Sequence, residues 1–252
     1  MKILISPSKN LHSTVVQKAK SLPRFLNWSE EIQKELKRAS PIELIRLHDI
    51  SPKLAQLNYE RNLNWSAETL QMQGTPALFT FSGDVYRGLD ALSLTEEDLQ
   101  YLEDKILILS GLYGLLRPFD AILPYRLEMG TALSVGSYSD LYEFWKDKLT
   151  KYLSAQNEDF LINLASKEYS EAIDFKSLNI PVYECIFLDK VKNSYRPVNV
   201  LLKRARGRMA RFIIKNRISN PDDLKFFDDE QYIFDPEMSK EFSLVFKRDR
   251  TL

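Results

Sequence analysis

Short apolar runs of five to seven residues recur along this chain, and most of them lead into a polar loop. Runs of that length, continuous rather than alternating, predict strands that are buried in a sheet. The predicted strands are residues 2–6, 77–81, 106–110, 160–164 and 182–188. Residues 195–202 are a weaker candidate, because Pro197 interrupts them.

Amphipathic stretches with the helical period lie between the predicted strands. In residues 28–38, for example, Ile32 and Leu36 stand four apart on one face. The predicted helices are residues 28–38, two segments of 41–61 that break near 49–52, and residues 96–102, 141–153 and 205–216. This alternation predicts an α/β or α+β fold, with a mixed, mostly buried sheet and flanking helices. We expect a single domain over residues 1–252, with a small helical lobe at residues 25–65.

The composition argues against several classes of protein and of site. The 252 residues include 35 basic and 35 acidic side chains, so the chain is not basic throughout, although a local basic face stays open. One cysteine, Cys185, favours a reducing compartment, and two histidines without metal-ligand spacing argue against zinc or haem. The apolar run 3–5 is too short for a signal peptide, and no run could span a membrane. We expect a cytoplasmic monomer with no cofactor; a carboxylate-bound magnesium stays open.

Four of the predicted strands end in loops rich in polar, aromatic and charged residues. These loops begin after residues 6, 81, 110 and 164. In open sheets with parallel strands, ligands bind at the carboxyl ends of the strands. We therefore expect the four loops to converge on one cleft, to which Lys9 of the first loop would bring a phosphate-binding charge.

The segment 110–130, SGLYGLLRPFDAILPYRLEMG, concentrates costly polar residues directly after an apolar strand. The guanidinium groups of Arg117 and Arg126 suit bidentate recognition of phosphate or carboxylate. Tyr113 and Tyr125 are candidates for stacking on a base or sugar. The alternative is a surface hairpin with internal Arg–Glu pairs.

Three carboxylates accompany these arginines and tyrosines. Asp84, Glu128 and Glu168 each follow one of the predicted strands, and together they are candidates for general acid–base catalysis. The alternative for each is a structural role, such as capping of a helix by Asp84.

A basic helix is predicted in residues 203–217, which contain seven basic side chains and no acidic one. Its periodicity aligns the basic residues in a stripe opposite an apolar face, a pattern that suits a phosphate backbone. The candidate phosphate-binding residues here are Lys203, Arg204, Arg206, Arg208 and Arg211. The alternative is a solvated face whose charges pair with acids elsewhere.

Residues 44–57 follow the spacing of a helix-hairpin-helix unit, with Pro52 and Lys53 at the start of the second helix. Such hairpins bind DNA phosphates through backbone N–H groups at a helix N-terminus. Asp49 and Ser51 replace the usual hairpin glycines, and Asp49 would bring negative charge towards phosphate. The alternative is a helical hairpin that only packs against the core.

Taken together, these blocks resemble the YaaA peroxide-stress family of bacterial cytoplasmic proteins, with Ser8 where alanine is expected. The matching blocks are ISPSK, SGDVYRGL, LSGLYGLLRPFDAILPYRLEMG, INLASKEY, KRARGRMARFIIKNRI and VFKR. The resemblance implies an unusual fold, DNA binding through a basic cleft and a helix-hairpin-helix element, and a role in limiting iron-dependent DNA damage. The residues at the family's motif positions are Lys9, Asp84, Tyr113, Arg117, Tyr125, Arg126, Glu128, Asn163, Ser166, Glu168, Lys203, Arg204, Arg206 and Arg208.

Two functions follow as hypotheses. The first is a protein that binds distorted or single-stranded DNA and helps limit oxidative damage. The second is a glycosidase- or lyase-like enzyme that acts on a nucleobase or nucleotide through the cleft carboxylates, a possibility that a weaker similarity to nucleobase-acting domains also raises. Direct sequestration of iron is disfavoured, because histidine and cysteine clusters are lacking, although ligation of iron by acidic residues stays open.

Overall fold

The computed structural model describes residues 1–12 and 17–249. The strands are β1 (Lys2–Ile5), β2 (Asn10–Leu11), β3 (Thr75–Pro76), β4 (Phe81–Ser82), β5 (Ile106–Ser110), β6 (Gly114–Leu116), β7 (Ala121–Ile122), β8 (Leu161–Asn163), β9 (Val182–Val191), β10 (Ser194–Arg196), β11 (Ile233–Phe234) and β12 (Ser243–Arg248). Eight of them form the main sheet, in the order β11–β12–β9–β8–β1–β5–β6, with β10 also paired to β9. The remaining four form two small ribbons, β2 with β4 and β3 with β7.

Helices surround this sheet. They are α1 (Leu26–Arg38), α2 (Pro41–His48), α3 (Pro52–Asn64), α4 (Ala67–Gln73), α5 (Ala77–Thr80), α6 (Asp84–Leu89), α7 (Glu96–Lys105), α8 (Leu141–Ser154), α9 (Lys167–Ser170) and α10 (Asn199–Lys215). The predicted fold class, a mixed and mostly buried sheet flanked by helices, is confirmed. In the part of the chain that the structure describes, none of the helices has the length and apolarity needed to cross a bilayer.

The middle of the sheet consists of buried parallel strands. Ile3 of β1 pairs in register with Ile106 of β5 on one side and with Ile162 of β8 on the other. Every residue of β5 and β8 is buried, as continuous apolar runs in parallel sheets require. Because β1, β5 and β8 point the same way, their carboxyl ends lie at one edge of the sheet. The polar loops begin at this edge.

Two of the predicted strands are wrong. Residues 77–81 form one helical turn, in which Ala77 and Leu78 donate their backbone N–H groups to carbonyls of the 117–120 corner, and only Phe81 enters a two-residue strand. Residues 195–202 leave β10 at Arg196, and α10 begins at Asn199. An apolar run is buried in either conformation, so hydrophobicity alone does not separate a short strand from a buried turn.

The helical lobe breaks where the sequence predicts. Ser40 and Glu43 form a capping box at the start of α2, and Asp49 ends that helix in the left-handed region at φ 48°. The Ser51 hydroxyl then accepts a hydrogen bond from the N–H of Leu54 and caps α3. Apolar side chains of the lobe, including that of Ile32, belong to the same buried cluster as the central strands.

Helix α10 crosses α6 at two glycines. A Cβ atom on Gly207 would lie 1.9 Å from the carbonyl oxygen of Val85, and one on Gly88 would lie 2.2 Å from that of Arg204. Both neighbours are backbone atoms, so neither can move aside by changing rotamer. The two blocks SGDVYRGL and KRARGRMARF therefore form one close helix–helix contact.

Candidate functional site

Four loops meet at the carboxyl edge of the sheet, and we call them the loop cluster. They are residues 6–9, 82–86, 125–130 and 166–169. The Ser6 hydroxyl accepts a hydrogen bond from the N–H of Ser166 at 2.8 Å, and the Tyr86 hydroxyl donates one to the Ser6 carbonyl at 3.1 Å. The Ser8 hydroxyl donates to the carbonyl of Ser82. These bonds join the first, second and fourth loops, as predicted, although the second loop begins in the two-residue strand β4 rather than at a strand of the main sheet.

The third loop reaches the cluster by an indirect path. After Ser110, at the end of β5, the chain turns back and runs along β5 as the antiparallel strand β6. The chain then turns through β7 and returns as residues 125–130. Arg117 lies in the turn rather than in the cluster, where its guanidinium bonds to the buried carboxylate of Asp120 at 3.0 Å and to the carbonyl of Leu22 at 3.2 Å. In this structure Arg117 stabilises the turn at residues 117–120.

The charged centre of the cluster is a carboxylate between two cations. One oxygen of Glu128 lies 3.0 Å from Lys9 Nζ, and the other lies 3.1 Å from a terminal nitrogen of Arg126. The Lys9 side chain is 58% exposed, whereas those of Arg126 and Glu128 are 20% and 18% exposed. The Arg–Glu pair that the alternative for this segment predicts is thus present. It lies half-buried among the four loops rather than on an isolated hairpin.

The charges of this centre also act on His48 of the helical lobe. It is the last residue of α2 and is only 5% exposed. Burial lowers its pKa to about 4; the negative charge of Glu128 opposes that shift and the positive charge of Arg126 adds to it. The imidazole is therefore neutral at physiological pH.

Glu168 lies beside the charged centre, whereas Asp84 takes no part in the ion pairs of that centre. One oxygen of Glu168 accepts a long hydrogen bond of 3.5 Å from the N–H of Gly130. Asp84 instead pairs with Arg87 on the first turn of α6, at 3.3 Å. Of the three predicted acid–base residues, Glu128 and Glu168 are thus the two that meet around the 128–130 turn.

Tyrosines form the floor of the cluster. Tyr113 is fully buried, and its hydroxyl accepts hydrogen bonds from Trp65 Nε1 at 3.0 Å and from the N–H of Leu123 at 3.2 Å. Tyr125 and Tyr169 are each 7% exposed. Burial raises the pKa of Tyr113 to about 12 and also raises those of the other two. The predicted stacking of a base on Tyr113 or Tyr125 therefore requires the residues that cover them to move.

The basic helix α10 is amphipathic as predicted, with Ala205, Met209 and Ile213 buried. Its outward cations are paired within the described residues. Arg204 lies 2.6 Å from Glu230, Arg208 lies between Asp229 and Glu230 at 3.7 and 3.8 Å, and Lys215 lies 2.9 Å from Asp98. Arg211 donates two hydrogen bonds, of 3.0 and 2.9 Å, to backbone carbonyls at the end of α6.

Two basic residues of α10 differ from that stripe. Lys203 is exposed and has no carboxylate within ion-pair distance among the described residues. The charge of Glu184 acts on Arg206, and Glu184 accepts a hydrogen bond of 3.3 Å from the Asn163 side chain at the end of β8. Burial lowers the pKa of Arg206, and the charge of Glu184 opposes that shift. Arg206 thus lies near the sheet edge at which β8 ends.

The hairpin between α2 and α3 adjoins the cluster through His48. Residues 51–54 at the start of α3 are exposed, Lys53 among them. Asp49 adopts the left-handed conformation at φ 48°, in which glycine is usual. Leu44 and His48 are the buried residues of α2, one turn apart on the same face.

Comparison with known proteins identifies the family. The family model described as peroxide stress protein YaaA matches residues 1–238. The chain belongs to this family. A UPF0246 protein of Aliivibrio fischeri (strain MJ11) is 42% identical over 255 residues, covering 99% of this chain and 98% of the relative. A UPF0246 protein of Flavobacterium johnsoniae is 44% identical over 252 residues (98% and 100%), and one of Burkholderia orbicola is 40% identical over 256 residues (98% and 98%).

The structure adds two residues to the candidate site of this YaaA-family protein. Ser6, which lies in the ISPSK block, joins the first and fourth loops, and His48 comes from outside every motif block. One signal in the sequence points to His48: it stands four residues after Leu44, on the apolar face of the predicted helix. Within the described residues, no three His, Cys, Asp or Glu side chains are arranged to hold a metal ion.

Proposed function

We propose that this YaaA-family protein acts in the peroxide-stress response by binding DNA across the helical hairpin and the loop cluster. In this proposal the exposed start of α3 contacts phosphates, and the cluster receives a nucleotide exposed from distorted or single-stranded DNA. Bound DNA is thereby shielded from iron-dependent oxidative damage.

One observation supports the proposal most strongly. The hairpin turn follows His48 directly, and the charges of Arg126 and Glu128 act on the His48 imidazole, which supports treating the hairpin and the cluster as neighbouring parts of one binding surface. The N–H groups at the start of a helix of 13 residues, together with Lys53, suit a phosphate. Lys9 and Arg126 add two cations a short distance away. The ion-paired arginines of α10 supply less available charge than their number suggests.

The test is a salt titration of DNA binding. Affinity for a single strand should fall linearly on logarithmic axes between about 50 and 200 mM salt, with a slope of about −0.7 for each phosphate contact. Lys53→Glu should weaken binding and flatten this slope. Lys105→Glu is the matched control, because it makes the same change of charge just before β5, at the opposite edge of the sheet. Equal losses in both variants, or binding that salt leaves unchanged, would refute the proposal.

Protection of DNA needs its own measurement. Plasmid DNA exposed to ferrous iron and hydrogen peroxide should suffer fewer strand breaks with the wild-type protein than with Lys53→Glu. The two proteins should bind iron equally, so a difference in strand breaks reports DNA binding. Equal protection by both would remove DNA binding from the role in peroxide stress.

A nucleobase-acting enzyme is a second candidate, which the meeting of Glu128 and Glu168 around Gly130 favours. Two carboxylates beside a sugar are the usual requirement for cleaving a glycosidic bond. Oligonucleotides that carry damaged bases should then release free base, and Glu128→Gln should bind them without releasing it. Absence of release from every substrate counts against this candidate.

A further inference from the structure

Three largely buried polar side chains in this region have unmet hydrogen-bonding capacity. Arg126 and Glu128 line one crevice of the loop cluster, and the charges of both act on the third, His48. Within the part of the chain that the structure describes, neither ring nitrogen of His48 has a hydrogen-bond partner, and the same holds for Arg126 Nε and for Glu128 Oε1. Glu128 Oε1 does lie 3.1 Å from a terminal nitrogen of Arg126, but as an ion pair without hydrogen-bond geometry. Buried polar groups in native proteins are almost always hydrogen-bonded, so three such residues in one region indicate a ligand.

The inventory of these groups describes what that ligand must offer. Arg126 Nε–H is a donor, and Glu128 Oε1 is an acceptor. The neutral imidazole of His48 supplies one donor and one acceptor. A molecule that satisfies all three residues must therefore present acceptors and donors side by side, on a group that fits between them.

A phosphate group fits this set poorly. It offers acceptors only, and it would lie against the carboxylate of Glu128, which already occupies both neighbouring cations. The hydrogen-bonding edge of a nucleobase is neutral and carries a carbonyl or ring nitrogen next to an amino or imino N–H. Arginine and glutamate are side chains that read such edges, through donors to a base oxygen and acceptors from a base amino group.

We propose that His48, Arg126 and Glu128 form a binding site for the hydrogen-bonding edge of an unstacked nucleobase. This proposal rests on the proposed function, because it names the part of DNA that the loop cluster receives. His48 accepts or donates one hydrogen bond to the base edge, and Arg126 and Glu128 provide the other two. Phosphate is then left to Lys9 and to the hairpin.

The site opens by displacement of Lys9. The crevice between residues 7–9 and 125–128 has a volume of about 10 Å³, which holds roughly one water molecule and no base. Lys9 closes it through the ion pair with Glu128, and its side chain is 58% exposed. A half-exposed ion pair contributes little to stability, so a base can replace Lys9 at Glu128 at small cost.

The experiment is a titration of the whole protein with the four deoxynucleosides, followed through the histidine ring signals in NMR spectra. The chain has two histidines, so His48→Gln assigns both sets of signals, and the exposed His12 serves as the internal control. At least one nucleoside should shift the His48 signals saturably and leave those of His12 in place. Glu128→Gln should weaken the binding of that nucleoside about ten-fold, because one hydrogen bond to a charged group is lost.

Two results would overturn the proposal. One is that no nucleoside shifts the His48 signals up to its solubility limit; the other is that His12 shifts equally. Nucleosides carry no phosphate, so this outcome is independent of the salt titration of DNA binding. DNA binding without a nucleoside response refutes the base site alone, and a nucleoside response without DNA binding refutes the proposed function alone.

Discussion

The loop cluster and helix α10 are the two arginine-bearing regions that the sequence marks, and their environments differ. On α10, Arg204 and Arg208 lie against carboxylates, and Arg211 binds the carbonyls that end α6. In the cluster, two cations share the carboxylate of Glu128. Among the described residues both regions contain an arginine Nε without a hydrogen-bond partner, but only the cluster adds an unpartnered carboxylate oxygen and a neutral imidazole, and this mixture of donors and acceptors is what a ligand could use.

The comparison shows that the number of arginines in a segment does not measure its available charge. In a segment with seven basic residues and no acid, much of the charge is still paired when acids from α7 and from residues 229–230 pack against it. Only three-dimensional structure tells these two cases apart, because the partners come from distant parts of the chain. Mutations should therefore affect stability in one region and binding in the other.

The largest expected effect comes from replacing an arginine by methionine, once in the ion network beside α10 and once in the loop cluster. Arg248 is fully buried and bonds to Asp189 at 2.6 Å, in a network that reaches α10 through Glu230. Arg248→Met leaves the Asp189 carboxylate uncompensated and should lower the free energy of unfolding by about 3–5 kcal/mol. Arg126→Met should change it by less than about 1 kcal/mol, because Glu128 keeps Lys9. Urea denaturation measures both, and equal losses would contradict the contrast.

The second effect contrasts two glycines. Gly207→Ala drives a methyl group into the backbone of α6 and should cost about 3 kcal/mol or prevent folding, at the upper end for overpacking. At Gly130, in the cluster, the nearest atom to a new Cβ is the Tyr142 hydroxyl at 3.5 Å, an ordinary contact. Gly130→Ala should therefore leave the melting temperature nearly unchanged. A similar drop in both variants would show that the cluster is as tightly packed as the helix crossing.

The third effect is a dependence of stability on pH that arises in the cluster. The folded-state pKa of His48 is lowered to about 4, so the unfolded chain binds an extra proton as the pH falls below about 6.5. This term is absent above that range and should cost the folded state about 2 kcal/mol at pH 5. His48→Phe should remove it, and His12→Gln should retain it. The measurement is the shift of the urea midpoint between pH 7 and pH 5 in each variant. Equal shifts in His48→Phe and His12→Gln would refute the burial of His48.

Much of the fold is predictable from the sequence, because β1, β5 and β8 lie in short, continuous apolar runs, the pattern typical of buried strands in a parallel sheet. The break between α2 and α3 is equally local, since Ser51 and Pro52 carry the capping signal themselves. Residues 77–81 fail as a strand because their backbone partners, the carbonyls of Pro118 and Asp120, are about forty residues away in the chain. Local pattern does not contain that information.

The candidate site is predictable only in outline. The rule for parallel strands places Lys9 and the residues after β8 near one edge of the sheet, whereas Arg126 and Glu128 reach that edge only by the return of the chain through β6 and β7. The ion pairing of Arg204, the corner position of Arg117 and the approach of His48 depend on contacts between distant segments. Those contacts decide which charges remain for a ligand.

The smallest expected change in stability, and the sharpest test of the contrast, is Lys9→Ala. The Lys9–Glu128 pair is half-exposed, and Arg126 continues to neutralise Glu128, so the free energy of unfolding should change by less than about 0.5 kcal/mol. Arg204→Ala on α10 is the matched control, because it also removes one cation from a carboxylate that keeps another partner.

Binding should separate the two variants although stability does not. If Lys9 competes with a base for Glu128, its removal should leave nucleoside affinity equal or tighter, because the competitor is gone. If Lys9 also contacts phosphate, the salt slope of DNA binding should fall by about one contact. Arg204→Ala should move neither quantity, since its charge is already neutralised by Glu230. A loss of nucleoside binding on Lys9→Ala would mean that Lys9 holds the ligand, and that the cluster recognises charge rather than a base edge.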